Sequence, residues 1–257
     1  MQRLQPQAPS RRMFSSTVPP RRLARGLALG VLVSLVTLAS APARAEAPAP
    51  IPAEPASQRG TASGVLDAVQ RFYDGTKDMQ AKFQQTYINQ VYGQHKVTKG
   101  ALNIMKPGRM VWDYESDSDP DFYVDDDKLW VIENDTHQVV SQSVKGNANL
   151  AGATKFLFGG QKLIQTFKVR IASDKLVKRF GAAGHTVIEI KPKEKNPHYK
   201  SMLLVVDDKT GRVDAFVVRN QDNSINHFEL SEIKLNVGLK AEAFQYKVPD
   251  GYVETRQ

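Results

Sequence analysis

The sequence predicts a mainly β chain of the α+β class: one long antiparallel sheet with a few helices over one face. Three observations carry this. Apolar and polar residues alternate through most of the chain beyond residue 78, the period of a strand with one buried face. Short polar clusters such as Pro107-Gly108, Asp125-Asp126-Asp127, Asn134-Asp135 and Asp207-Asp208-Lys209-Thr210-Gly211 separate these runs. Connections that short join antiparallel neighbours, because parallel strands need a crossover. Helical periodicity, in contrast, is confined to a few segments.

The elements follow in order. Ser63 is the expected N-cap of an amphipathic helix in which Val65, Leu66, Val69, Phe72 and Tyr73 share a face and which ends near Gly75. Strand patterns cover residues 79–92, 97–106, 109–115, 121–125, 128–133 and 137–144. Asn149 to Gly160 and Leu163 to Phe167 read as apolar helices, the first ending in Phe156-Leu157-Phe158. Strand character returns at 168–172, 185–192, 199–207, 212–220, 224–236 and 243–248.

The N-terminus explains the charge. The chain has 35 Lys and Arg against 27 Asp and Glu, a balance that suggests nucleic acid or an anionic membrane. Seven of the basic residues are arginines within the first 45 positions, which hold no acidic residue, and 28 against 27 remain from Glu46 onward. Arg21, Arg22 and Arg25 precede 15 uncharged residues, Leu27 to Ala41, and Ala43-Arg44-Ala45 follows. This is the pattern of a cleaved export signal, shorter than the roughly 18 residues of a membrane span. Residues 1–45 are therefore assigned to a signal peptide, 46–60 to a Pro/Ala-rich tether, and 61–257 to one domain. With no cysteine there is no disulfide, thiolate metal site or lipidated cysteine. A soluble exported protein is expected, periplasmic in a double-membraned bacterium.

Reactive chemistry is hard to find. His95, His137, His185, His198 and His227 are not spaced as metal pairs on one face, and neither a Gly-x-Ser-x-Gly elbow nor a phosphate-cradling glycine loop occurs. The acidic run Asp117, Asp119, Asp121, Asp125, Asp126, Asp127 has Lys128 where a calcium loop of the EF-hand type ends in glutamate. Basic-aromatic patches for nucleic acid are missing. No enzyme and no cofactor is expected.

An apolar inventory survives. Met110, Trp112 and Tyr114 share one strand face, and Trp130 falls on the next aromatic run, so both tryptophans are expected on neighbouring strands. With Phe83, Leu102, Ile104, Val124, Phe156, Leu157 and Phe158 they converge if helices cover one side of the sheet. Such residues pack as core in most proteins. A single sheet with few helices fills its inner side only if it closes tightly, which leaves an apolar cavity as the alternative.

Four ordered motifs now bring a family into view: Gly100-x-Leu102-x-x-x-Lys106-Pro107-Gly108-Arg109-x-x-Trp112-x-Tyr114, Val124-Asp125-Asp126-Asp127-Lys128-Leu129-Trp130, Lys155-Phe156-Leu157-Phe158-Gly159 and Phe244-Gln245-Tyr246-Lys247-Val248-Pro249-Asp250-Gly251. Together they resemble the LolA family of periplasmic lipoprotein carriers. The resemblance implies an incomplete antiparallel barrel (half-barrel) closed by a helical lid over an apolar cavity for lipoprotein acyl chains. It implies a monomer loaded by an inner-membrane ABC-type complex and unloaded to an outer-membrane acceptor. It also implies that the basic residue before the proline, here Lys106 where the family often has arginine, holds the lid shut. Two alternatives stay open: a lipoprotein-sensing regulatory protein and a carrier of free lipids on the same half-barrel. Sensors of this kind usually carry a further C-terminal domain, and the last expected strand here lies close to Gln257, which favours the carrier.

Overall fold

The structure, a computed structural model, describes residues 60–144 and 162–256. Helix α1 spans Ala62–Asp74. Its N-cap is Thr61 and not Ser63: Thr61 sits in extended backbone (φ −82°, ψ 149°), and its hydroxyl accepts from the Gly64 N–H at 3.0 Å. Ser63 lies inside the first turn. The other end closes where the Thr76 hydroxyl donates to the Phe72 carbonyl at 2.9 Å.

Six strands follow: β1 (Asp78–Asn89), β2 (Gln94–Met105), β3 (Arg109–Tyr114), β4 (Asp121–Asp125), β5 (Lys128–Glu133) and β6 (Gln138–Ser143). After the short helix α2 (Leu163–Thr166) come β7 (Phe167–Ile171), helix α3 (Asp174–Phe180), β8 (His185–Pro192), β9 (Tyr199–Asp207), β10 (Val213–Asn220) and β11 (Ile225–Leu235). A 3-10 helix (Ala241–Phe244) and β12 (Val253–Arg256) complete the described chain.

All twelve strands form one open sheet in the order β12-β6-β5-β4-β3-β2-β1-β11-β10-β9-β8-β7. Two antiparallel meanders, β1 to β6 and β7 to β11, are therefore stitched together by the long-range β1–β11 pairing, with Phe83 opposite Leu230. That pair carries an irregularity between Gln80 and Lys82, with Glu232 at φ 50°. Such a bulge adds twist and helps the sheet to curl without closing.

On one face of the sheet α1 packs against α2, β7 and β8. Leu66, Val69, Phe72 and Tyr73 of the helix belong to one continuous core with Met79, Phe83, Leu102, Ile104, Met110, Trp112, Leu204 and Phe216 of the strands. The helix can settle this closely because Gly211, in the turn between β9 and β10, has φ +80° and would place a Cβ 2.6 Å from the Ala68 carbonyl. The outer face is covered in two patches. Leu176 and Phe180 of α3 pack over Val187, Leu203, Val205 and Val217, and the 3-10 helix lays a fully buried Phe244 over β3 and β4.

Two element expectations are corrected, and one helix had no counterpart among them. Residues 243–248 are not a strand, because Phe244 buries itself on the outer face by turning into a 3-10 helix; the last strand is β12, parallel to β6. The helix expected at 163–167 stops at Thr166, since Phe167 opens β7 and is buried opposite Pro192. Helix α3 is too short, at 7 residues, to show a periodic signal, though Leu176 and Phe180 stand four apart on its packed face. The segments expected to be a signal peptide (1–45), a tether (46–60, up to residue 59) and a helix (149–160) lie outside the described residues.

Candidate functional site

Phe83 is the hub of the inner face. Its ring centroid lies 4.8 Å from Trp112 and 4.9 Å from Tyr114, both edge-on, and 6.3 Å from Phe228. Trp112 in turn meets Phe228 at 5.2 Å, and Phe228 stacks on Phe216 at 4.7 Å. These geometries are favoured by the ring quadrupoles and make the patch stiff. Room for the Phe83 ring comes from Gly100 opposite it on β2: a Cβ there would fall against the Asp113 carbonyl and 2.5 Å from the ring edge.

The polar tips in this patch are satisfied locally. The Trp112 indole N–H donates to the Met110 sulfur at 3.0 Å, and the Tyr114 hydroxyl donates to Gln85 Oε1 at 2.6 Å. Burial, with Asp119 and Asp121 nearby, pushes the Tyr114 phenol up, so it stays neutral at any physiological pH.

Of the residues singled out in the sequence, Phe83, Leu102, Ile104, Met110, Trp112 and Val124 are buried on this face, and Tyr114 packs against them. Trp130 does not join them. Its strand, β5, is separated from β3 by β4, so the two tryptophans are not on adjacent strands. The register pairs Trp130 with Tyr123 and Tyr123 with Val111, which puts all three on the outer face. There the indole lies 6.1 Å from the Tyr246 ring and under the Lys128 ammonium at 4.5 Å. Phe156, Leu157 and Phe158 lie outside the described residues. Phe216 and Phe228 were missed, although each sits in an alternating strand pattern; only the β1–β11 pairing brings Phe228 to Phe83, with Phe216 stacked behind it.

Lys106 stands at the end of β2, ahead of a cis peptide bond to Pro107. Its ammonium donates to the Tyr73 carbonyl in the last turn of α1. A cation at a helix C-terminus meets carbonyls that have no partner within the helix. Burial lowers the Lys106 pKa, and the neighbouring Asp74 charge works in the opposite direction.

The one cluster of metal-ligand type among the described residues, His185 with Asp207 and Asp214, is committed elsewhere. Asp214 accepts from Arg212 Nε and Nη2 at 2.5 and 3.0 Å and contacts His185 Nε2 at 2.9 Å. Asp207 caps its own turn through the Lys209 and Thr210 N–H groups at 3.1 and 2.8 Å. This network supports the β9–β10 turn beneath α1.

One open, mostly antiparallel sheet, with a helix and an aromatic cluster on its inner face, is thus the architecture these residues build. The family model described as outer membrane lipoprotein carrier protein LolA matches residues 74–247, and the chain belongs to this family. It is 24% identical over 192 residues to an outer-membrane lipoprotein carrier protein of Cupriavidus necator, which covers 74% of this chain and 86% of that protein. The corresponding protein of Cupriavidus taiwanensis is 24% identical over 199 residues, 76% of this chain and 90% of its own. Among solved structures, a LolA superfamily protein from Nitrosomonas europaea aligns at 10% identity with a TM-score of 0.42, over 72% of this chain and 98% of that one.

Proposed function

We propose that the protein is a periplasmic chaperone that binds the acyl chains of lipoproteins released from the inner membrane by an ABC-type complex and passes them to an outer-membrane acceptor. It acts as a binding protein and not as an enzyme. The observation that carries this reading is the tie between Lys106 and the Tyr73 carbonyl, which fastens the last turn of α1 to the residue that follows β2, on the apolar side of the sheet.

The energetics favour a weak clasp. An acyl chain of ~15 methylenes carries about 12 kcal/mol of transfer free energy at roughly 0.8 kcal/mol per methylene, so it does not cross water unshielded. A cavity that buried it as completely as a bilayer would hold it too well for delivery. A cover that shields the chain only in part allows both transit and release. The proposed acyl surface is Phe83, Leu102, Ile104, Met110, Trp112, Tyr114 and Val124, extended by Phe216 and Phe228.

Mass spectrometry of hydrophobic material that co-purifies with the mature protein from the periplasm tests the proposal. Triacylated or diacylated proteins in stoichiometric amount are expected. Free phospholipid alone would replace lipoprotein carriage with lipid carriage, and material without acyl chains would overturn both.

A further inference from the structure

The outer face holds a concavity of ≈ 330 Å³ between α3 and the strands β8 to β11. Leu203, Val217 and Ile225 form an apolar strip of its floor beside Ser201 and Glu189, and Leu176 and Phe180 of α3 form one wall. Its rim carries Lys175, Arg179 and Arg219.

The charges are unevenly matched. Glu189, 5% exposed, is the acidic group in the cleft, and it is already neutralised by Arg170 Nε at 2.5 Å and by Lys191 at 3.7 Å. Asp222, in the next turn, is held by the Ser224 N–H and hydroxyl at 2.9 and 2.7 Å. Among the described residues, Lys175, Arg179 and Arg219 have no carboxylate within ion-pairing distance. Arg219 reaches only the Asn223 amide oxygen at 3.4 Å, and the Arg179 guanidinium leans on the Phe180 ring at 4.9 Å.

We propose that this cleft docks an acidic polypeptide segment of a partner protein, with one bulky apolar side chain on the floor and flanking carboxylates on the three rim cations. Charge complementarity selects the sign of the partner, and the desolvated apolar floor supplies an anchor of the kind that dominates protein interfaces. The cations ring a depression whose apolar surface lies below them, which suits a protruding side chain and not the plane of a bilayer. This surface is on the opposite side of the sheet from the aromatic face, so the proposal does not depend on what that face carries.

Anisotropy of a fluorescein-labelled peptide with a Leu-Phe-Leu centre flanked by glutamates, titrated with the mature protein, tests this. The double variant Arg179→Glu/Arg219→Glu should weaken binding at least about tenfold, as should replacing the Leu-Phe-Leu centre by serines. Lys178→Glu, exposed on α3 but outside the cleft, should change it less than about twofold. An equal loss with Lys178→Glu would mean unspecific attraction to a basic surface and overturn the site. Sensitivity of phosphatidylglycerol-vesicle binding to the double variant, with no peptide binding, would overturn the choice of a protein partner. Lys175→Glu serves as the charge reversal if the double variant does not fold, and lipid binding at the inner face should be the same in every variant.

Discussion

The Lys106 ammonium and the Tyr73 carbonyl join the turn after β2 to the last turn of α1, across 33 residues of chain. Lys106→Leu should therefore loosen α1, raising the binding of an environment-sensitive dye to the delipidated protein and slowing cargo release, because the closed empty state competes less well with the loaded one. One hydrogen bond from a charged, half-buried donor is worth about 1.5 kcal/mol, or roughly tenfold in the closed-to-open ratio. Lys106→Arg should shift both measurements the other way, since a planar guanidinium holds carbonyls with better-defined geometry. Indistinguishable dye binding and release rates among the three proteins would reduce Lys106 to a strand-end lysine.

The two tryptophans should report different surfaces. Trp112 belongs to the ring cluster around Phe83, whereas Trp130 packs with Tyr246 on the outer face. Addition of a lipid ligand should change the emission of Trp130→Phe, which retains Trp112, and leave Trp112→Phe nearly silent. A response carried by Trp130 instead would place the ligand outside the α1 side of the sheet.

Gly100 should tolerate no side chain. Gly100→Ala drives a methyl against the Asp113 carbonyl and the Phe83 ring, an overpacking that costs about 1–3 kcal/mol. A lower thermal midpoint is expected. Adding Phe83→Leu should recover only part of it, because the Asp113 backbone cannot move aside as a ring can; full recovery would show that the ring is the sole obstacle.

The hydrogen bond to Asp214 raises the His185 pKa above its ordinary 6.5. A raised folded pKa means that the pair stabilises the fold fully below the unfolded value and ceases to do so as pH climbs through the raised one. The gap in thermal midpoint between the wild type and His185→Gln should be widest near about pH 5.5 and shrink toward about pH 8. A gap independent of pH would show that the ring acts by packing alone.

Much of the fold was legible because strands and amphipathic helices are local patterns. The alternation of Met110, Trp112 and Tyr114, the helical spacing of Leu66, Val69, Phe72 and Tyr73, and the short polar turns announced a meander under a helix, and the motifs around Lys106-Pro107-Gly108 pointed to the family before any coordinate did. Half of the aromatic patch was legible for the same reason, since residues two apart on one strand must share a face.

What the tertiary structure decided is everything that depends on register between strands. Trp130 turned to the outer face because the tight turn between Asp125 and Lys128 pairs it with Tyr123, and a shift of one residue in that turn would have sent it inward. Phe228, with Phe216 stacked behind it, reaches Phe83 only through the β1–β11 pairing, a contact between segments some 150 residues apart that no local period encodes. The Tyr73 carbonyl likewise became the acceptor for Lys106 only when α1 settled over Gly211 and the inner face. Periodicity determines which face of a segment is apolar; closure of the sheet determines what that face meets.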